Sequence, residues 1–323
     1  MALGEFELIA RYFTRPARRN PLGVGDDCAL LAPSPGQQLA VSTDLLVEGR
    51  HFVSTLAPER LGHKALAVNL SDLAACGARP LAYTLALALP RVDEDFLAGF
   101  ARGLHALADA HEVDLVGGDT SAGPLAVCIT VFGEVPAGQA LLRSGARAGD
   151  ELWVSHRADG GLGDARLALE MWRGTVAVTP ALQALRDALE CPQPRVALGL
   201  ALRGVASAAI DLSDGLVGDL GHLLRRSGVG AEVNADALPR SAALAAQPRE
   251  VQHRCLLAGG DDYELLFSAP PAQRAAVVAA AQAGTVAVTR VGRVVAAPGL
   301  RLVDGAGRAL PGSYAAHDHF ARP

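Results

Sequence analysis

Lysine is almost absent from this sequence: Lys64 is the single lysine among 29 basic residues, and the others are arginines. The basic residues form no continuous run, and the formal net charge is -5 at pH 7. Proteins that bind nucleic acids usually concentrate positive charge on one face. The sequence therefore predicts no nucleic-acid partner.

Disulfide and zinc patterns are also missing. The five cysteines are odd in number, widely spaced and free of any CxxC pair. This usage indicates free thiols in a reducing compartment. The first residues show no apolar run of signal-peptide length, and no stretch reaches the roughly 18 consecutive apolar residues of a membrane span. We therefore expect a cytoplasmic protein with no membrane partner.

The familiar nucleotide-binding motifs do not occur. The sequence has no GxxxxGKS/T loop and no HRD or DFG kinase motif, and the stretch LGVG lacks the third glycine of a dinucleotide fingerprint. A nucleotide, if one binds, must be held by a different arrangement.

What the sequence does contain is enough apolar material for two domains, since half of its 323 residues are hydrophobic. Residues 1–137 are predicted to form a first α/β (α+β) domain, with the order strand, strand, helix, strand, helix, strand, strand. The stretch 136–150 reads as a linker. Residues 148–323 are predicted to form a second α/β domain.

Three short stretches of the first domain give predictions for the bounds of individual strands and helices. Residues 28–31 (CALL) read as a short strand, and residues 61–80 read as one continuous helix. Residues 113–116 read as a strand that ends where the glycines of VGGDT begin.

The helix predicted at 61–80 is apolar on nearly every side, which is typical of a buried helix. Asn69 and Asp72 lie three residues apart and therefore share one face of it. A buried carboxylate is costly without a partner. Asp72 is therefore expected to be paired, protonated or bound to a cation, and a structural cap for a nearby loop is the alternative.

Aspartates follow or precede glycine at four places: GDD at 25–27, GD at 118–119, DLSDG at 211–215 and GDD at 260–262. Asp44 and Asp72 join this set. Each aspartate alone fits an ordinary turn or cap. Together they supply hard oxygen donors without matching histidine or cysteine, a composition that suits Mg²⁺. Glycine-rich turns with exposed amides add the prospect of a nucleoside triphosphate.

Seven motifs occur in the order found in one enzyme family: GVGDDCAL, VSTDLLVEGRHF, NLSDLAACGARP, VGGDT, DLSDGL, GGDDYELLF and DHF. Together they resemble the thiamine-monophosphate kinase family. That family belongs to the superfamily of ATP-dependent synthetases that includes aminoimidazole ribonucleotide synthetase. The resemblance extends from about residue 22 to residue 320.

The resemblance implies direct in-line transfer of a phosphoryl group from ATP to thiamine monophosphate, with several Mg²⁺ ions between the phosphates. It also implies a homodimer that associates through the sheet of the first of two α/β domains, with mixed sheets and flanking helices. Carried over by motif, the metal ligands are Asp27, Ser42, Thr43, Asp44, Asp72, Asp119, Asp211 and Asp214. The ATP contacts are Gly118, Asp119, Arg143 and Ser213, and the thiamine phosphate contacts are His51, Asp262 and Tyr314.

Two positions depart from the family pattern. Asp261 stands where glutamate is frequent, and Tyr314 stands where tryptophan is common. Tyr314 is expected to stack on the cationic thiamine ring.

Two other classes of function remain open at this point. The first is a synthetase of the same superfamily that acts on a different acceptor. A selenium-activating version would need a reactive cysteine in a glycine- and lysine-rich loop, whereas Cys28 is predicted on a strand with no lysine nearby. The second is a non-enzymatic nucleotide-binding or scaffold protein, which the presence of all six proposed aspartate ligands disfavours.

Overall fold

The structure, a computed structural model, describes residues 4–180, 182–311 and 314. The chain divides into two compact units: Met1–Leu73 with Ala78–Gly138, and Ala74–Gly77 with Gln139–Pro323. Both units combine a β-sheet with helices, which confirms the α/β class. The functional domain boundaries at residues 137 and 148 stay a prediction. Across the described part of the chain, no helix has the length and apolar character needed to cross a membrane.

The first unit is built on a four-stranded mixed sheet in the order β1-β4-β2-β3. The strands are β1 (Gln37–Val47), β2 (Arg79–Leu89), β3 (Asp114–Ala122) and β4 (Ala126–Pro136). The helices are α1 (Glu5–Leu8), followed by a π-helical turn (Ile9–Phe13), α2 (Pro58–Ala75) and α3 (Glu94–Ala110). β2 runs parallel to β3 and antiparallel to β4, and β1 is an edge strand.

Helices α2 and α3 pack closely because glycines occupy their contact. A Cβ atom on Gly62 would lie 2.1 Å from the carbonyl oxygen of Phe100, and one on Gly103 would lie 1.8 Å from that of Glu59. Any larger side chain would therefore force the helices apart. This contact fixes α2, which carries the proposed site residue Asp72.

The predicted helix at 61–80 extends too far at its C-terminus. Gly77 adopts a left-handed conformation with φ of +63°. The N–H of Gly77 donates to the carbonyl of Ala74, and the N–H of Ala78 donates to that of Leu73. This pattern is a Schellman C-cap, for which glycine is favoured because it has no Cβ atom. Arg79 already begins β2.

Two other predictions for this unit were wrong. Residues 28–31 form no strand, and Leu30 makes an isolated bridge to Leu22. β3 does not end at Val116 but continues through the glycines of VGGDT to Ala122. The register with β2 shifts just before these glycines, because Leu115 is opposite Tyr83 and Gly117 is opposite Thr84.

The second unit contains a six-stranded sheet in the order β10-β7-β9-β5-β8-β6, in which only the β10–β7 pair among the described strands is parallel. Its strands are β5 (Glu151–His156), β6 (Ala208–Asp211), β7 (Gly230–Asn234), β8 (Leu265–Ala269), β9 (Ala287–Val295) and β10 (Gly299–Val303). Its helices are α4 (Asp164–Trp172), α5 (Leu182–Glu190), α6 (Val196–Ala201), α7 (Leu216–Ser227), α8 (Ala242–Ala245), α9 (Arg249–Ala258) and α10 (Arg274–Ala283). The buried core joins apolar residues of β5, β6 and β7 to those of α4, α7 and α9.

Candidate active site

The first group of proposed site residues lies where α2 meets the edge strand β1. The hydroxyl of Ser42 donates a hydrogen bond to Asp72 Oδ2. The backbone N–H of Asp44 donates to Asn69 Oδ1 at 3.1 Å. Ser42 and Asp44 share one face of β1 because side chains alternate along a strand. The structure therefore brings Ser42, Asp44 and Asp72 to one junction.

Thr43 lies on the opposite face of β1. Its hydroxyl is 2.8 Å from that of Thr130 on β4, the residue directly opposite in the register. Its side chain therefore points away from the Ser42–Asp72 contact. The assignment of Thr43 as a metal ligand, through side chain or backbone, stays a prediction.

A second group lines a cavity of about 680 Å³ within the first unit. Asp27 reaches it from the glycine-rich loop, and Gly118 and Asp119 reach it from β3. Its apolar wall includes Phe6 and Phe13. Ligand pockets in proteins commonly measure about 300–1,000 Å³, so this cavity has the size of a binding site.

Gly118 is required for the shape of this cavity wall. Its φ is +150°, and a Cβ atom built on it would lie 1.8 Å from the carbonyl oxygen of Leu85 on the neighbouring strand. Only glycine allows such a close approach of two backbones. The second glycine of VGGDT therefore lets β3 continue, where the sequence had suggested that it would end.

His51 follows β1 in a short loop, and a backbone contact sets its tautomer. The N–H of Val47 donates to His51 Nδ1 at 3.0 Å. Since Nδ1 accepts this hydrogen bond, the neutral ring carries its proton on Nε2. The side chain is then a hydrogen-bond donor at Nε2, which suits an anionic group.

The third group lies in the second unit, where the loop 211–215 follows β6. Asp211 is the last residue of β6 and is buried. Asp219 on α7 accepts hydrogen bonds from the backbone N–H groups of Asp214 and Gly215, both at 3.1 Å. Burial and the neighbouring charge of Asp214 raise the pKa of Asp219 to about 7. Asp219 therefore holds the loop that carries Ser213 and Asp214.

The loop 211–215 is paired with the loop 259–264 through backbone hydrogen bonds. The N–H of Asp261 donates to the carbonyl of Ser213 at 2.9 Å, and that of Tyr263 donates to Leu212 at 2.8 Å. The N–H of Leu212 donates in turn to the carbonyl of Glu264 at 2.8 Å. The proposed ATP and metal residues of one loop are thus held against the proposed substrate residue Asp262 of the other.

The loop around Asp262 has an unusual backbone. Asp261 and Tyr263 have φ values of +67° and +50°, in the region that side chains other than glycine rarely adopt. Aspartate tolerates this region better than glutamate because its short side chain can hydrogen-bond locally. The departure from the family pattern at Asp261 therefore fits the local conformation.

Asp262 itself is half-buried. Its Oδ1 accepts a hydrogen bond from the N–H of Gly163 at 2.9 Å. Burial raises the pKa of Asp262 well above its usual range, and the carboxylates of Asp164 and Glu264 act in the same direction. A raised pKa favours the protonated form of a carboxyl group, which can donate a hydrogen bond.

Arg143 and Tyr314 complete the proposed set. Arg143 is exposed, and its carbonyl accepts a hydrogen bond from Ser227 at 3.0 Å. The hydroxyl of Tyr314 lies 3.3 Å from His253 Nδ1, with the two rings edge to face. Stacking of Tyr314 on thiamine stays a prediction, and the motif DHF at 318–320 lies outside the described residues.

The donor set fits Mg²⁺ in chemistry, because it consists of carboxylate and hydroxyl oxygens. In the described ranges, no three His, Cys, Asp or Glu side chains are arranged to hold one metal ion. Mg²⁺ is usually bound by one or two carboxylates together with water and substrate phosphates. Ser42 contacts Asp72, and Asp27 and Asp119 line the same cavity. Such pairs of oxygen-bearing side chains are compatible with that mode of binding.

Several residues that shape the site escaped the sequence analysis. Asp219 fixes the loop 211–215, and the Glu264 carboxylate accepts from Arg195 Nε at 2.7 Å and from Ser155. One sequence signal could have identified Asp219: it is an acidic residue in the first turn of α7, five residues after Asp214. Nothing in the sequence links Arg195 to Glu264, because 69 positions separate them.

Comparison with known proteins places both units in one class. Residues 25–135 match the family described as AIR synthase related protein, N-terminal domain, and residues 147–305 match its C-terminal domain. The fold is therefore that of an AIR synthase related protein.

Several similar individual proteins indicate one family within this class. A thiamine-monophosphate kinase of Salmonella typhimurium is 47% identical over the full length of both chains, and one of Escherichia coli K12 is 44% identical over the same extent. The solved structure of thiamine-monophosphate kinase from Stenotrophomonas maltophilia K279a has a TM-score of 0.83 and 46% identity, and the match covers 94% of this chain and 95% of that one. The chain belongs to the thiamine-monophosphate kinase family.

Proposed function

We propose that this protein transfers the γ-phosphoryl group of ATP to the phosphate of thiamine monophosphate, forming thiamine diphosphate and ADP. The observation that carries the proposal is 47% identity to a thiamine-monophosphate kinase over the whole chain. A related solved structure, described as AaThiL complexed with AMPPCP and TMP, supports the substrate pair; it has a TM-score of 0.74 and 29% identity, and the match covers 86% of this chain and 88% of that one.

The reaction needs positioning more than covalent chemistry from the protein. An oxygen of the acceptor phosphate attacks the γ-phosphorus, and the bond from that phosphorus to the β–γ bridging oxygen breaks, so that ADP leaves. The backbone amides beside Gly118 and the Arg143 side chain are proposed to orient ATP. The Nε2–H of His51 and the carboxyl group of Asp262 are proposed to contact the acceptor phosphate.

Several Mg²⁺ ions are proposed to bind the carboxylates of the set. Such ions supply positive charge between phosphate groups that would otherwise repel each other. Asp27, Asp44, Asp72, Asp119, Asp211 and Asp214 would hold them, with oxygens from Ser42 and Thr43. Rigid carboxylates on strands and on α2 keep these charges in fixed places.

A homodimer that associates through the first sheet is also proposed. The outer face of β1 exposes Leu39, Val41 and Leu45, which are 46%, 58% and 53% accessible. These side chains lie on one face of β1, with the exposed Thr43 between Val41 and Leu45, and form an apolar stripe that a second copy could cover. A cytoplasmic location is proposed from the five widely spaced cysteines without a CxxC pair, a usage typical of thiols in a reducing compartment.

Turnover tests the proposal directly. The purified protein with Mg²⁺, ATP and thiamine monophosphate should form thiamine diphosphate and ADP in equal amounts, as measured by separating the products. Removal of divalent metal with a chelator should stop the reaction, and added Mg²⁺ should restore it. Asp72→Asn should lower kcat by orders of magnitude while the protein still folds.

A negative result would be equally clear. Absence of thiamine diphosphate in the presence of turnover on another acceptor would move the protein to a different activity of the same superfamily. ADP formation without any phosphorylated acceptor would also contradict the proposed transfer.

A further inference from the structure

Asn69 lies on α2, buried to 1% exposure, and its side-chain amide makes two hydrogen bonds in opposite directions. Its Nδ2 donates to the carbonyl of Ala65 at 2.9 Å, one turn back along the same helix. Its Oδ1 accepts from the backbone N–H of Asp44 at 3.1 Å. The amide orientation follows from these partners, because a carbonyl needs a donor and an N–H needs an acceptor.

The second of these bonds reaches the open edge of a sheet. β1 pairs only with β4 in the described sheet, so the N–H groups on its other edge have no strand partner. Asn69 supplies the missing acceptor at Asp44. One helical turn further along α2, Asp72 accepts from Ser42, two residues before Asp44 on the same face of β1. Helix and strand are thus joined by two side-chain contacts.

We propose that Asn69 is a positioning residue, which holds the edge of β1 so that Asp44 and Asp72 keep a fixed separation for metal binding. This inference rests on the proposed function, since it takes both aspartates as Mg²⁺ ligands. Residues that hold ligands in place typically change metal affinity or activity by about 10–100-fold when they are replaced. Asn69 itself need not contact metal or substrate.

Two substitutions that introduce side chains of similar size can distinguish the positioning of Asp44 from simple stabilisation of the helix. Asn69→Ala removes both hydrogen bonds. In Asn69→Ser, the hydroxyl can still bond to the carbonyl of Ala65, four residues back, but it is too short to reach Asp44. The matched control is Asn20→Ala: Asn20 is also buried, at 7% exposure, and donates to the carbonyl of Leu81 and to Asp114 in the same unit.

The measurements are the Mg²⁺ concentration for half-maximal rate, kcat, the KM for thiamine monophosphate, and the midpoint of thermal unfolding. Rates are compared well below the lowest midpoint. Both Asn69 variants should need about 10-fold or more Mg²⁺ and should lose kcat, with little change in the KM for thiamine monophosphate. Asn69→Ser should unfold closer to wild type than Asn69→Ala. Asn20→Ala should lower the midpoint but keep the wild-type Mg²⁺ dependence.

The inference is overturned if Asn69→Ser folds and shows the wild-type Mg²⁺ dependence, or if Asn20→Ala shifts that dependence equally. Failure of the proposed function would be visible in the unmodified protein, which would then not phosphorylate thiamine monophosphate. In that case the same comparison is made on Mg²⁺-dependent binding of AMPPCP. An unchanged Mg²⁺ requirement for that binding in both Asn69 variants would again reject the positioning role.

Discussion

Individual carboxylates in this protein differ in pKa because their surroundings differ. Burial dominates at Asp262 and Asp219 and raises the pKa of both. At Glu134 burial also acts to raise the pKa, but hydrogen bonds from Ser34 and Arg79 outweigh it, so the pKa is lowered. The balance between burial and hydrogen bonding therefore decides the sign of the pKa shift at each of these acids.

Glu134 provides a test of this balance through stability. Its side chain is 2% exposed and accepts hydrogen bonds from Arg79, Arg19 and the N–H of Ser34. Glu134→Gln should lower the free energy of unfolding at pH 7 by about 1–3 kcal/mol, because charged hydrogen bonds are lost while Arg79 stays half exposed. Chemical denaturation at several pH values measures the effect.

The pH dependence has a definite sign. The folded pKa of Glu134 lies below its unfolded value, so the stabilisation is present above about pH 4.5 and is lost as the pH falls through the folded pKa. The penalty of Glu134→Gln should therefore shrink in acid. Glu59→Gln, at an exposed ion pair with Arg102, serves as the control and should change little. An equal penalty at all pH values would contradict the assignment.

The strands and helices show how glycine decides the path of the backbone. β3 passes Leu85 so closely that only Gly118 fits, whereas Gly117 meets nothing nearer than Thr84 Cγ2 at 3.9 Å. Two adjacent glycines of one motif thus have different roles. At Gly117 there is space for a larger side chain, whereas Gly118 is needed for the close contact of β3 with β2.

Replacement of each glycine by alanine should separate these roles. Gly118→Ala should lower the free energy of unfolding by about 3 kcal/mol or more, because the backbones must move apart. Gly117→Ala should leave stability nearly unchanged, since the added methyl group has space. Denaturant unfolding of the two variants side by side checks the prediction. Equal stabilities would show that the strands adjust easily.

The whole molecule consists of two α/β units, each with its own sheet and core. In the first unit, one face of strand β1 is exposed rather than covered by a described helix. The apolar stripe Leu39, Val41 and Leu45 is the basis of the proposed homodimer. Exposed valines also occur elsewhere, for example Val278 on α10 at 45% exposure. The two valines allow a matched comparison.

Val41→Arg should convert the dimer into monomers, because a charge would be placed in the proposed apolar interface. Val278→Arg should leave the dimer intact. Light scattering coupled to size-exclusion chromatography over a range of protein concentrations measures the mass. A wild-type protein that stays monomeric at all concentrations would reject the dimer, and dissociation by both variants would reject this interface.

Patterns that depend on neighbours in the chain could be read from the sequence. The mostly apolar stretch 61–80 predicted the buried helix α2, because a helix that is apolar on nearly every side is packed inside a protein. The family and its reaction followed from seven short motifs. The sequence analysis misplaced the end of α2, where a local cap forms at Gly77, and the end of β3, where the path past Gly118 depends on the distant residue Leu85.

The sequence by itself determined the fold class, the family and the set of oxygen-bearing side chains, since these are encoded in periodicity and in residue type. Only the tertiary structure decided which of those side chains meet. Asn69 reaches Asp44 across 25 positions, and Asp261 bonds to Ser213 across a still longer separation, so no local pattern could reveal either contact. Such contacts form when buried polar groups must find partners, and the packing of the whole unit determines which partners are within reach.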